Sequence, residues 1–168
     1  MEQLWAPWRM ELIDKSGKQA GCIFCDLPRG KDDRENLILG RTPHTFAILN
    51  RFPYNNGHLM VVPRRHTADL MSLPAEENGE LSEMLRVAMR LVGQAYRAQG
   101  YNLGMNLGPA AGAGIADHLH WHVVPRWTGD TNFMPVLGDT KVMIEHLVET
   151  WDRLRPSFDA DYSKGPAW

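Results

Sequence analysis

No part of the 168-residue chain comes near the ~20 consecutive apolar residues that a membrane-spanning helix needs. The opening Met1-Glu2-Gln3-Leu4-Trp5 lacks the basic-then-apolar order of a secretory leader, so a cytoplasmic location and no membrane partner are expected. Positive charge is not in surplus. Lys and Arg number 18 against 20 Asp and Glu, a formal charge of −2 that argues against a general nucleic-acid binder. A small phosphate pocket stays open, because pockets are built from local charge. Cysteine is scarce: only Cys22 and Cys25, in one C-I-F-C unit, so no disulfide framework exists. In a reducing compartment such a pair is a metal half-site, a redox pair or a pair of inert thiols. Internal repeats and low-complexity stretches are also missing.

What is present is ordinary globular composition, 43% hydrophobic and 23% charged, at a length that suits one domain. Leu4 to Ile13 is rich in aromatic residues and reads as an arm packed on the body. Short β-branched or aromatic runs separated by turn residues predict strands over 36–41, 45–50, 58–63, 101–107 and 118–125. Leu81, Met84, Leu85, Ala88, Leu91, Val92 and Ala95 recur at three- and four-residue steps. They predict a core-packing helix over 74–99, capped by Ser72, with Glu76 and Glu77 in its first turn and Gly100 ending it. A shorter helix is expected over 141–154, with the last dozen residues irregular. Strands around one long helix imply an antiparallel α+β domain.

The most informative segment is H-L-H-W-H-V-V, His118 to Val124. On a strand, His118, His120 and His122 share one face, ~7 Å apart in succession, and Leu119, Trp121 and Val123 share the other. Neutral imidazole is available near pH 7 and can attack phosphorus without a separate base. Gly108 to Gly114, a loop free of bulky side chains, lies just upstream. A single histidine on a strand is usually structural, but three on one face beside such a loop are not explained that way. The stronger rival is a metal site, since His-x-His is a common ligand spacing.

The string resembles the signature of the histidine triad family, His-φ-His-φ-His-φ-φ, and Pro125-Arg126 continues it as in many members. L-N-R-F-P-Y-N-N-G-H-L-M-V-V-P, from Leu49 to Pro63, is similar to the family's ribose-binding strand and its Gly-His strand. Asn106-Leu107-Gly108 and the loop to Asp117 resemble its phosphate-contacting segment. The matches span 22–126, flanked by an N-terminal arm (1–21) and a C-terminal extension (127–168) of one domain. L-W-A-P-W-R and G-D-T-N-F-M-P-V-L-G-D-T-K-V look more narrowly like bacterial members related to diadenosine tetraphosphate phosphorylases.

The resemblance implies an antiparallel sheet of about five strands with one long and one shorter helix, and a homodimer. It implies His120 as the nucleophile that becomes nucleotidylated, with His122 donating to the α-phosphate or the leaving oxygen. Asn50 would bind ribose hydroxyls, Asn106 would hydrogen-bond phosphate, and His58 would orient the triad. Gly112 and Gly114 would lie against the phosphates. In zinc-containing relatives two cysteines join two histidines. The matching positions here are Cys22, Cys25, His66 and His118, a structural tetrahedral set with no organic cofactor needed. His44, Arg64, Arg65 and Lys141 either face a polyphosphate or form a solvated surface.

One departure separates the chain from the family's hydrolases. They usually carry Gln, followed in some by Ser or Thr, four residues before the first triad histidine. Gly114 and Ile115 stand there instead, leaving only backbone donors. The implied activity is nucleotidyl transfer from a dinucleoside polyphosphate, with inorganic phosphate as acceptor. Alternatives are a hydrolase or nucleoside phosphoramidase of the same family, a metal-dependent enzyme, and a nucleotide-binding sensor without turnover.

Overall fold

The computed structural model describes residues 21–130 and 142–162. The aromatic arm, Lys141, the stretch 131–141 and the last six residues lie outside the described residues. Five strands form one sheet: β1 (Ile38–Arg41), β2 (Thr45–Leu49), β3 (Leu59–Pro63), β4 (Gly100–Gly104) and β5 (Trp121–Arg126). Their order is β1-β2-β3-β5-β4, and every neighbouring pair is antiparallel. The α+β expectation is met. Each strand is shorter than its sequence pattern suggested, and the ladder of the triad strand starts only at Trp121. His118, at a bend, and His120 lie ahead of it.

Cross-strand register decides which side chains share a face. His122 pairs with Met60 on one side and Gly104 on the other, and Met60 pairs with Ile48. This row forms the triad face. Trp121, Val123, Leu59, Val61 and Ala47 point the other way, where the long helix α2 (Ala75–Tyr96) packs on β2, β3 and β5. Before β1, one short turn of helix, α1 (Ile23–Asp26), carries both cysteines' neighbours.

Helix α2 buries Leu81, Met84, Val87, Ala88, Leu91 and Val92, each large side chain worth roughly 1.5–3 kcal/mol when removed from water. Leu85 and Ala95 are only partly covered, while Glu77 and Glu80 are buried. Glu80 is there because its carboxylate accepts from Thr42 Oγ1 and from the His44 amide at 2.7 Å, tying the β1–β2 turn to the helix. Ser72 is not the cap. It ends a 3-10 turn, its hydroxyl donating to Asp69 O at 2.7 Å, and Pro74 precedes the helix. Gly100 does not end it either; Arg97, with φ 52°, terminates the helix and Gly100 opens β4.

The tail helix α3 runs over Leu147–Tyr162, later and longer than the sequence suggested. Pro156 sits within it, and a proline inside a helical pattern normally reads as a stop. Tertiary packing overrides the lost hydrogen bond: Leu154 and Phe158 are fully buried, and Trp151 Nε1 donates to Ile38 O at 2.9 Å. None of the described helices is long and apolar enough to cross a membrane.

Candidate active site and metal cluster

The β2–β3 turn brings His58 under the triad. Gly57 has φ +75°, and a Cβ there would stand 3.3 Å from the Tyr96 ring, so only glycine lets the turn close against α2. His58 is buried. Its Nδ1 accepts from the Tyr54 amide at 2.9 Å, which leaves the proton on Nε2. That nitrogen stands 3.0 Å from His122 Nδ1 and donates to it, so His122 in turn carries its proton on Nε2. The Tyr54 ring stacks on His58 at 4.8 Å. Asn50 Oδ1 accepts from the Phe52 amide at 2.9 Å, and its Nδ2 lies 3.4 Å from His58 Nε2.

His120 is wired in the opposite sense. Its Nδ1–H donates to His118 O at 2.9 Å, so Nε2 holds the lone pair. Nε2 has no hydrogen-bond partner among the described residues, where the only sealed side-chain polar atoms without a partner are Thr45 Oγ1 and Asn56 Nδ2. The nitrogen is therefore open to an approaching electrophile, although the residue is only 5% exposed. Burial lowers the His120 pKa below the ordinary imidazole value, against the upward pull of its bond to His118 O. A neutral ring with an accessible Nε2 is the form that can attack phosphorus.

Space lies beside the triad strand. Gly104 is across the ladder from His122, and a Cβ added at Gly104 or Gly108 would touch nothing within 4 Å. The loop from β4 to β5 turns at Gly108 (φ +79°) and Gly112 (φ +81°), and Asn106 Nδ2 donates to Gly112 O at 3.3 Å. Asn106 thus closes the loop on itself. The five consecutive amides from Ala113 to Asp117, Gly114 and Ile115 among them, donate to no acceptor among the described residues. Backbone N–H groups left in this way suit an anion.

Cys22, Cys25, His66 and His118 converge as the sequence suggested. Cys22 Sγ is 3.2 Å and Cys25 Sγ 3.6 Å from His118 Nδ1; His66 Nδ1 is 3.3 Å from that atom and 3.4 Å from Cys25 Sγ. Ligands on one tetrahedral zinc would be spaced roughly 3.3–3.8 Å, given bonds of ~2.0–2.3 Å. The donor set fits. His118 Nε2–H donates to Pro63 O at 2.8 Å, which fixes the tautomer that turns Nδ1 to the sulfurs. Burial lowers the His118 pKa too, keeping the ring neutral as a ligand must be. Both cysteines are free thiols. Burial, then the neighbouring Cys22, pushes the Cys25 thiol up, the reverse of a reactive redox cysteine. The rival metal site on the triad finds no support: among the described residues no ligand group includes His120 or His122.

Of the remaining candidates, His44 lies 3.9 Å from Glu76, Arg65 clasps Glu77 at 2.5 Å, and Arg64 donates to Thr42 O. They belong to a polar surface where the β1–β2 turn, the end of β3 and the first turns of α2 meet. The sequence reading missed three contributors: Tyr54, Gly104 and Phe24. Phe24 is buried against both His118 and His120.

The family model described as HIT domain matches residues 31–129 of the chain. The chain belongs to the HIT family. An AP-4-A phosphorylase of Mycobacterium tuberculosis (strain CDC 1551 / Oshkosh) is 39% identical over 158 residues, covering 89% of this chain and 80% of that protein. The adenosine 5'-monophosphoramidase HNT1 of Saccharomyces cerevisiae is 32% identical over 107 residues, 64% of this chain and 63% of its own. Among solved HIT structures, a Zn-bound histidine triad family protein from Mycobacterium smegmatis has a TM-score of 0.68 at 26% identity, covering 86% of this chain and 97% of that one.

Proposed function

We propose that this HIT protein is a nucleotidyl transferase acting on dinucleoside polyphosphates through a nucleotidyl-His120 intermediate. The observation that carries this reading is the accessible, neutral Nε2 of His120, fixed by the Nδ1–H bond to His118 O. In the first step Nε2 bonds to the α-phosphorus and the bond from phosphorus to the bridging oxygen breaks. The positive charge gained by the imidazole spreads to Nδ1–H, which His118 O already accepts. His122, with its proton on Nε2, hydrogen-bonds the departing oxygen, and His58 holds that tautomer. For diadenosine tetraphosphate the products of this step are AMP bound to His120 and ATP.

In the second step an acceptor oxygen bonds to the same phosphorus and the bond to Nε2 breaks. We propose inorganic phosphate as that acceptor, which yields ADP. Support comes from the five unpartnered amides of residues 113–117, from Gly114 and Ile115 where the hydrolases carry a polar side chain, and from the likeness to an AP-4-A phosphorylase. The Cys22, Cys25, His66 and His118 group would hold a structural zinc with all four positions filled by protein.

Mass spectrometry of protein mixed with diadenosine tetraphosphate in the absence of phosphate tests the first step. An added AMP on the peptide containing His120 is expected. His120→Ala should lose the adduct and several orders of magnitude in turnover while nucleotide affinity changes little. An adduct on another residue, or near-normal turnover in the variant, would refute the mechanism.

A further inference from the structure

Phe24 stands between the two cysteines in the chain, and between the metal cluster and the nucleophile in space. Its backbone is set by the amides of Cys25 and Asp26, which donate to Cys22 O at 2.9 and 3.0 Å. The side chain is 1% exposed. Its ring meets His118 edge-on, with centroids 5.5 Å apart at 72°, and lies against His120 at 5.1 Å and 44°. His120 is otherwise held by one hydrogen bond, from Nδ1–H to His118 O, and by an edge contact with the His122 ring at 5.1 Å and 76°. One such bond fixes a point on an imidazole but leaves its plane soft, because the outer torsion of histidine is broad. Contact with the Phe24 ring limits that freedom. The hydrogen bond and the Phe24 contact both begin at the cluster. His118 contributes a ligand nitrogen and the accepting carbonyl, and Phe24 rides between two ligand sulfurs.

We infer that Phe24 is a positioning residue that couples the state of the Cys22, Cys25, His66 and His118 cluster to the orientation of the His120 ring. The inference rests on reading that cluster as a zinc site and His120 as the nucleophile. With four ligand atoms tied to one ion, residues 22–25 cannot shift without breaking a metal–ligand bond. Phe24 then presents a fixed face to His120. Without the ion, α1 is a single turn with no stability of its own, and only packing restrains the Phe24 ring. His120 Nε2 then loses its aim. Misplacing a reacting atom by about 1 Å costs on the order of a hundredfold in rate, so the loss falls on the chemical step and not on binding.

The test uses protein labelled with 15N at histidine, prepared metal-free and titrated with zinc alone. In the wild-type chain the His120 imidazole signals should sharpen and settle at one position as one equivalent binds. Because Phe24 is fully buried, Phe24→Leu, which keeps most of the apolar volume without a ring face, is compared beside Phe24→Ala. Both should take up one equivalent of cobalt with the wild-type tetrahedral thiolate absorption, yet their His120 signals should stay broad with or without metal. With a dinucleoside polyphosphate, the zinc-loaded variants should lose roughly 10- to 100-fold in kcat, with KM within about twofold. Zinc depletion should cost them nothing further. A Phe24→Leu protein whose His120 signals answer zinc as the wild type does overturns the inference, as do wild-type signals indifferent to bound zinc. Uptake of neither zinc nor cobalt by the wild type overturns it by another route. That outcome removes the metal centre and leaves the nucleophile to the adduct experiment.

Discussion

His58 Nε2 lies 3.0 Å from His122 Nδ1, while the Tyr54 amide occupies the other His58 nitrogen at 2.9 Å. The two contacts give the pair a direction: backbone N–H to His58, His58 N–H to His122, His122 N–H outward. His58 thus acts through His122 and not on the substrate. Replacing His122 by Ala should lower kcat on the order of a hundredfold, as for one lost donor to a leaving oxygen. His58→Ala should cost about tenfold, since His122 remains but can choose the wrong tautomer. The double variant should be no slower than His122→Ala within about twofold, because residues acting as one unit are not additive. Losses that multiply in the double variant would show His58 working independently.

The metal cluster makes a separate commitment. The purified protein should hold about one zinc per chain, and removing it with a chelator should lower the melting temperature on the order of 10 °C. Cys22→Ser should weaken the site, since it removes one of the two sulfurs facing His118 Nδ1. Zinc is bound by thiolates and neutral imidazoles, so acidification supplies protons that compete with it, and affinity should fall as the pH drops. Elemental analysis of protein purified without chelators decides the matter: a metal-free chain removes the zinc reading and leaves the His120 chemistry standing.

Asp130 pins the chain leaving β5 to the β2–β3 turn that carries His58. Arg126 donates to its carboxylate at 2.6 and 2.8 Å, Asn55 Nδ2 at 2.9 Å and the Trp127 amide at 3.2 Å. The Arg126 guanidinium, aided by the Trp127 amide and Asn55, holds the Asp130 carboxyl well below the usual carboxylate range. A depressed folded-state pKa stabilises the protein above the unfolded value of ~3.9. That contribution is lost as the pH falls from there through the folded-state value. Asp130→Asn should therefore cost roughly 1–3 kcal/mol at neutral pH and less as acid is added. Denaturant unfolding at pH 7 and near pH 3 measures it; an equal loss at both would mean that the charge is irrelevant.

How far these sites could be read beforehand depends on the range of each interaction. Alternation predicted one face for the three histidines, although only His122 lies within β5, and the family resemblance supplied His58, 64 positions before His122 along the chain. No local pattern announces that pair, because β3 and β5 meet only through the sheet order. Leu154 and Phe158 continue the apolar spacing of α3, yet Pro156 between them breaks the helical reading; only their burial shows why the helix persists. Phe24, Tyr54 and Gly104 were illegible for a common reason. Each acts through a neighbour distant in sequence or by making space, and neither leaves a periodic or compositional mark.

The acceptor is the point on which the chain should part from HIT hydrolases. Gly114 and Ile115 offer no polar side chain, and the amides of residues 113–117 have no acceptor of their own among the described residues. Gly108 opens onto empty space, so an anion can approach the backbone. Inorganic phosphate held there attacks nucleotidylated His120 from a bound position, an advantage of proximity that free water lacks. Diadenosine tetraphosphate should then yield ATP plus ADP when phosphate is present, whereas hydrolysis yields ATP plus AMP. The ADP-to-AMP ratio should climb with phosphate concentration and level off, as saturation of a site requires. Gly114→Gln should move the ratio towards AMP, because the amide side chain occupies the opening and can hydrogen-bond a water. Separation of the nucleotides by anion-exchange chromatography across a phosphate series reads all three effects. AMP as the dominant product at millimolar phosphate would refute phosphorolysis and place the chain with the hydrolases of its family.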